Sequence, residues 1–226
     1  MDKGVIFDMD GVLIDSYHAH FQSWQVLARE EGLTHRQQQF AEQFGRTSRE
    51  CISLWWGDRY QEDDFPALSE RKEAAFRQIL AHEIPAMPGV HELLDALSQA
   101  QFALAVGSSG PAENIHLVLD RLGRRELFAA VVTGDDVERG KPDPQVFLIA
   151  AARLGITSSR CVVIEDAPAG IAAAHAGQMM AVGLASTGRR PEELSAADLV
   201  VRSLAELNPQ LLQRLLDGGA TGGRPE

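Results

Sequence analysis

Apolar positions along the 226 residues follow two rhythms, and the change between them divides the chain. It opens with a short unbroken apolar run, Val5-Ile6-Phe7, the mark of a buried strand, which ends abruptly in Asp8-Met9-Asp10. Gly11 permits a tight turn, and Val12 to Ile14 returns to apolar character before Asp15. Beyond Ser16, a candidate helix N-cap, residues Phe21, Trp24, Leu27 and Ala28 recur at helical spacing until Glu31 and Gly32. From Thr34 to Glu83 nothing reads as a strand. Phe40, Phe44, Ile52, Leu54, Trp55, Phe65, Leu68, Phe76, Ile79 and Leu80 predict several amphipathic helices, broken at Gly57-Asp58 and at Asp64-Phe65-Pro66. Residues 16–83 are therefore expected to form a small all-helical insertion within a domain made of 1–15 and 84–226.

Past Pro85 and Pro88-Gly89 the rhythm becomes an alternation. A helix over Val90 to Ala100 precedes a strand, Phe102 to Val106, which runs into Gly107-Ser108-Ser109-Gly110. A helix from Ala112 to Leu122 leads to a strand around Ala130 to Val132. Gly140-Lys141-Pro142-Asp143-Pro144 then opens a helix to Leu154, with Asp143 the expected N-cap and Pro144 its first residue. The strand Cys161 to Ile164 ends in Glu165-Asp166; a helix from Gly170 to Ala176, a strand from Met180 to Val182 and a short strand near Leu199-Val200 follow. Asn208-Pro209 caps a last helix to Leu216, and the Gly-rich end, 218–226, is expected to be disordered. Strands alternating with helices of this length imply an α/β fold with a mainly parallel sheet.

Composition narrows the partners. Net charge is −11 with no basic run, so nucleic acid and anionic membranes are poor bulk partners, and an anionic substrate needs locally gathered cations. The two cysteines, Cys51 and Cys161, fit neither a disulfide framework nor a zinc pattern. With no signal-like leader and no apolar run of 18 residues, a cytoplasmic protein is expected. The oligomeric state stays open, a monomer being compatible with every feature.

Ligands of open parallel sheets bind beyond the carboxyl ends of the strands, and four polar clusters fall at that edge. Asp8 and Asp10 leave the same face of extended backbone, where two carboxylates coexist around a divalent cation or a shared proton; an acidic turn is the plain alternative. Asp8 is placed to attack phosphorus, and Asp10 to act as general acid and base. Glu165 and Asp166 offer hard oxygens suited to Mg²⁺, though they could simply cap the next helix. Ser108, Ser109 and the adjoining amides could cradle a phosphate or merely cap. Lys141, held between Gly140 and Pro142, could neutralise developing negative charge or be an ordinary turn lysine.

With these clusters in this order, the chain resembles the haloacid dehalogenase-like superfamily, in its β-phosphoglucomutase-like branch. The resemblance is carried by Phe7-Asp8-Met9-Asp10-Gly11-Val12, Ser108, Gly140-Lys141-Pro142-Asp143-Pro144 and Val163-Ile164-Glu165-Asp166-Ala167-Pro168-Ala169-Gly170-Ile171. It implies a Rossmann-like core with a helical cap domain at residues 16–83. It further implies Asp8 as nucleophile, Asp10 as acid/base with its carbonyl on Mg²⁺, Ser108 and Lys141 on the phosphoryl group, and Glu165 and Asp166 completing a metal site that includes Asp8 and Asp10. The dehalogenase branch lacks the second Asp and needs no metal, so Asp10 argues against it.

The resemblance gives substrate choice to the cap. His20 is similar to a cap histidine of the phosphomutases, and Trp24 shares its helical face. Gly45-Arg46-Thr47-Ser48-Arg49-Glu50 is similar to the loop that supplies an arginine to a second phosphate, against the plain alternative that Arg46 and Arg49 are solvated. The lysine that phosphoglucomutases carry after the second-motif serine is absent, and Gly110-Pro111 stands there. The expectation is a Mg²⁺-dependent phosphatase for a small phosphorylated metabolite, a sugar phosphate foremost, acting through an aspartyl-phosphate. The alternatives are a phosphomutase and a non-catalytic phospho-ligand-binding protein.

Overall fold

The computed structural model describes residues 2–82 and 84–219, so residue 83 and the tail from 220 to 226, most of the stretch expected to be disordered, lie outside the described residues. The chain divides into two compact units, one of residues 1–15 with 85–226 and one of 16–84.

In the first unit, β1 (Gly4–Phe7) lies at the centre of a six-stranded sheet. Continuing in chain order after the helical unit, this unit holds α5 (Val90–Gln99), β2 (Ala103–Gly107), α6 (Ala112–Leu122), β3 (Phe128–Val132), α7 (Gln145–Leu154), β4 (Cys161–Glu165), α8 (Pro168–Ala176), β5 (Met180–Leu184), β6 (Leu199–Val201) and α9 (Pro209–Gly219). All pairings are parallel, in the order β3-β2-β1-β4-β5-β6. Every residue of β1, β2 and β4 is buried, as a parallel sheet covered on both faces requires. Ile6, Ala105 and Val163 pack with Phe147 of α7 and Ile171 of α8 in one core.

Strand order reverses between β1 and β4, the point at which such sheets open a crevice beyond their carboxyl ends. Phe7 pairs with Val106 on one side and Ile164 on the other, so the residues just past these three strands arrive together. The return of the chain is pinned beside its departure: Asp15 N donates to Pro85 O at 2.7 Å and Met87 N to Leu13 O at 3.0 Å.

Four helices build the second unit: α1 (Tyr17–Glu30), α2 (Gln37–Gln43), α3 (Ser48–Trp56) and α4 (Phe65–His82). Pro66 does not break α4, because a proline costs nothing in a first turn whose N–H has no helical partner. Ser16 takes the expected N-cap position of α1, but its hydroxyl is buried and makes no capping bond. Leu54 was expected on the apolar stripe and is instead 57% exposed, on the outer face of α3. Further along the chain, α7 starts at Gln145 rather than Pro144; Asp143 still caps it, its Oδ1 accepting from Gln145 N at 3.0 Å. The helix α8 begins two residues before Gly170, since Pro168 fits its first turn. At the end of the chain, Asn208 Oδ1 accepts from Leu211 N at 2.9 Å, capping α9, which continues past Leu216.

The core of the helical unit is aromatic. Trp24 meets Trp55 and Trp56 edge-on with centroids 5.0 and 5.8 Å apart, and His35 lies 4.3 Å from the Trp55 ring, with Phe21, Phe40 and Trp56 around it. Neither nitrogen of His35 has a hydrogen-bond partner. Burial among these rings pushes its imidazole down to about 4 from 6.5, because a charged ring there loses its water and gains no partner.

The fold therefore prefers neutral His35, and stability is full above pH 6.5 and drains as pH falls toward 4, where the folded protein finally takes up the proton. The expected loss across that window is about 2–3 kcal/mol. Urea titrations at pH 7 and pH 4.5 check it: His35→Phe should lose less stability between the two than the native chain. Equal losses would remove His35 from the acid sensitivity.

Candidate active site

Asp8 follows β1 directly, its amide donating to Ile164 O at 3.0 Å, so the first residue beyond the central strand stands beside the end of β4. There Glu165 and Asp166 emerge, and the carboxylates of Asp8, Glu165 and Asp166 each offer an oxygen within 4.8 Å of the others, all three residues buried. Lys141 comes from the loop before α7, where its peptide bond to Pro142 is cis, and its ammonium sits 3.1 Å from Asp8 Oδ1 and 2.6 Å from Glu165 Oε1. The ammonium also lies over the ring of Phe147, 4.8 Å from its centroid.

Two glycines make room for this convergence. A side chain at Gly11, whose φ is +71°, would strike the Asp166 carboxylate. One at Gly170 would strike Glu165, whose other oxygen accepts from Ala167 N at 2.6 Å.

Burial sets the electrostatics. It pushes the Asp8 carboxyl up to about 7; Lys141 opposes this, while Glu165 and Asp10 add to it. Burial likewise raises Asp166 well above the carboxylate range, with Glu165 adding and Arg189 opposing. Burial would lower Lys141, but the Asp8 and Glu165 charges outweigh it and hold the ammonium above its usual range. One ammonium shared by two carboxylates cannot hold Asp8 as low as a private ion pair would.

Three carboxylates against that ammonium and the more distant Arg189 guanidinium leave excess negative charge in a space shut off from water. Asp8 Oδ1 has the lysine's charge nearby but no well-formed hydrogen bond. The donors are all hard oxygens. The set thus fits a hard divalent cation such as Mg²⁺ and does not fit a soft one.

Other sequence candidates fall in different places. Asp10 acts electrostatically on Asp8 but lies outside the group of three mutually close carboxylates. Ser108 is buried just past β2, its Oγ accepting from Gly110 N at 3.2 Å, whereas Ser109 is exposed. Within the helical unit, His20 stacks on Phe76 at 4.0 Å and its Nδ1 lies 2.8 Å from Lys72 Nζ. Lys72 itself is 3% exposed and also bridges Glu73 at 2.9 Å. Trp24 is 3% exposed in the aromatic core, so its expected place at a substrate surface is corrected: the ring is consumed by packing against Trp55 and Trp56. Gly45 takes φ +96° in the exposed turn between α2 and α3. Arg46 and Arg49 are exposed, paired with Glu50 at 3.8 Å and Glu62 at 3.5 Å, beside a recess of about 310 Å³ that also borders Ser53, Leu54 and Phe65. Exposed pairs of this kind hold by only about 0–1 kcal/mol, so either arginine can turn to another anion.

Two site neighbours were not read from the sequence. Ser186 Oγ donates to Asp166 Oδ2 at 3.0 Å, and Arg189 Nε approaches the same oxygen at 3.9 Å. β5 runs two residues beyond Val182, which puts this polar loop at the carboxyl edge, where the rule applied to the other strands would have found it.

A sequence profile of the haloacid dehalogenase-like hydrolases matches residues 3–178. The chain belongs to this family. As a haloacid dehalogenase-like hydrolase it is an enzyme, of the β-phosphoglucomutase-like branch. Among its relatives, a chloroplastic 5-amino-6-(5-phospho-D-ribitylamino)uracil phosphatase of Arabidopsis thaliana is 34% identical over 99% of the chain, which spans only 60% of that protein's length. A validoxylamine A 7'-phosphate phosphatase of Streptomyces hygroscopicus subsp. limoneus is 33% identical over 92% of the chain and 96% of its own length. A solved β-phosphoglucomutase of Clostridium difficile superposes with a TM-score of 0.87 at 26% identity, covering 98% of the chain and 100% of that structure. No helix among the described residues of this hydrolase is long and apolar enough to cross a membrane, and both cysteines are buried and free.

In an ordinary helix Gly→Ala stabilises by about 0.5–1 kcal/mol. At Gly170 the sign should reverse: the added methyl meets a carboxylate pinned by Lys141 and Ala167 N, and Gly170→Ala should cost about 1–3 kcal/mol. Thermal melting of the variant checks this. A raised Tm would show that Glu165 does not pack against α8.

Proposed function

We propose that this hydrolase is a Mg²⁺-dependent phosphatase of a small phosphorylated metabolite, a sugar phosphate or a kindred polyol phosphate. The observation that carries the reading is the buried meeting of Asp8 with Lys141 and the Glu165/Asp166 pair beyond the switch point of the sheet. Both phosphatases named above act, by their names, on small phosphorylated metabolites, one of them a phospho-D-ribityl compound, and this supports the substrate class.

In this reading Asp8, Glu165 and Asp166 hold the cation, with Asp10 adjoining. When bound, Mg²⁺ supplies positive charge that offsets the repulsion between a carboxylate nucleophile and a phosphate dianion. A carboxylate oxygen of Asp8 attacks phosphorus, and the bond from phosphorus to the substrate oxygen breaks. Asp10 gives that oxygen its proton. Water then attacks phosphorus, Asp10 takes the water's proton, and inorganic phosphate leaves Asp8 as a free carboxylate. Lys141 keeps Asp8 in place and faces the oxygens on which charge builds. Ser108, whose Oγ already accepts from Gly110 N, still has its own O–H to give a phosphoryl oxygen. In the helical unit, read as the cap domain, Arg46 and Arg49 are assigned to the rest of the substrate, and His20 to a supporting role through Lys72.

A phosphomutase is the second reading, favoured by the close likeness to the Clostridium difficile mutase. Gly110-Pro111, where a lysine stands in the resemblance, weighs toward the phosphatase. The two share every step up to the aspartyl-phosphate and part over whether water or a sugar hydroxyl takes the phosphoryl group.

Assays over a panel of sugar and polyol phosphates should release inorganic phosphate, and excess EDTA should stop the release. Isomerisation that needs a catalytic sugar bisphosphate would overturn the phosphatase reading in favour of the mutase. Asp8→Asn should abolish turnover, and Asp10→Asn should lower it roughly 10²- to 10⁴-fold. A folded Asp10→Asn protein with native rates would strip Asp10 of its role. Arg49→Ala should impair the best metabolite substrate more than an aryl phosphate; equal losses on both would deny it recognition.

A further inference from the structure

The loop after β5 carries two adjacent arginines, Arg189 and Arg190, and they part company. Arg190 stays at the surface, with its amide held by the Glu193 carboxylate at 2.7 Å. Arg189 turns inward: its side chain is 13% exposed, and Nε lies 3.9 Å from Asp166 Oδ2. Three bonds shape the loop that aims it. Ser186 N donates to Leu184 O at 2.8 Å, Arg189 N donates back to Ser186 O at 3.0 Å, and Thr187 Oγ1 donates to Asp15 Oδ2 at 2.6 Å, tying the loop to the segment that follows β1. Gly188, at φ +83°, supplies the left-handed turn between them.

Asp166 therefore has two different supports on one oxygen. Ser186 gives it a hydrogen bond at 3.0 Å, which fixes its orientation. Arg189 gives it charge at a distance longer than a hydrogen bond. In a chain of net charge −11, a guanidinium turned away from water toward a buried carboxylate needs a reason. The carboxylate group supplies one. Lys141 contacts Asp8 and Glu165, and Arg189 faces the third member, Asp166, so each carboxylate has a cation beside it before any metal is present.

We propose that Arg189 is a positioning residue of the metal site, a resident counter-charge that holds the carboxylate group together without metal and is in competition with the cation that binds there. This rests on the reading of Asp8, Glu165 and Asp166 as the Mg²⁺ ligands. Two unit charges about 4 Å apart in a partly buried setting interact strongly enough to set affinity, so a charge this close must oppose an incoming dication. Linkage fixes the direction: whatever Arg189 gives the metal-free protein beyond what it gives the loaded one is subtracted from Mg²⁺ affinity. The arrangement keeps the site assembled yet lets the ion exchange.

The test pairs calorimetric titration of Mg²⁺ with thermal melting in EDTA and in saturating Mg²⁺, on the full chain. Arg189→Met should bind Mg²⁺ at least about 5-fold more tightly, since Ser186 still orients Asp166. Its Tm should fall by about 2–4 °C or more in EDTA and recover most of that loss in Mg²⁺. Arg189→Lys, which keeps the charge, should stay near the native affinity. If Arg189→Met does not fold, Arg189→Gln removes the charge with less change of shape and should shift affinity the same way. An equal Tm loss in both buffers with unchanged affinity would reduce Arg189 to packing and overturn the proposal, and so would weaker Mg²⁺ binding in the neutral variants. A native protein that neither binds Mg²⁺ nor melts higher in it would instead overturn the metal-site reading, and this proposal with it.

Discussion

Mutual repulsion among three buried carboxylates is the constraint around which the first unit is built. Asp8, Glu165 and Asp166 lie within 4.8 Å of one another at the edge of a sheet whose strands are shut off from water. Each would cost several kcal/mol to bury alone. Lys141 and Arg189 offset part of that cost from two sides, and backbone amides another part, as where Ala167 N meets Glu165. What remains is an excess of negative charge, the feature on which the Mg²⁺-dependent phosphatase reading rests.

Placing those groups is the work of the sheet. The parallel register sets Phe7 beside Val106 and Ile164, and the next one or two residues along each strand bring Asp8, Ser108 and the Glu165 pair to a common edge. Gly11 and Gly170 let the two acidic segments approach backbone that any side chain would push away. The helical unit has its own aromatic core, which leaves the arginines of its α3 turn exposed and only weakly paired.

Much of this was legible because the informative residues sit at element ends. The apolar run before Asp8, the Gly-Lys-Pro-Asp-Pro stretch and Glu165-Asp166 each mark a strand end or a helix start by local chemistry alone, and the sheet rule then gathers them. The errors came where tertiary packing overrode local pattern. Trp24 carries the same periodic signal whether its face meets a ligand or Trp55, and only the fold decides for the core. Ser16 holds the N-cap position its identity suggests, yet its buried hydroxyl makes no capping bond. Leu54 continues an apolar spacing that α3 rotates out of the interior. Arg189 gave no local signal, because its partner Asp166 is distant in sequence and β5 runs further than its apolar stretch suggested. Long-range electrostatics leaves no periodic trace.

The account depends on Asp8 accepting a phosphoryl group beside a divalent cation. Fluorine NMR of the protein with Mg²⁺ and beryllofluoride, which mimics an aspartyl-phosphate, asks this most directly. Bound fluoride resonances that need Mg²⁺ and vanish in Asp8→Asn are the predicted result. The same resonances persisting without Mg²⁺, or in Asp8→Asn, would place the acceptor elsewhere and contradict it.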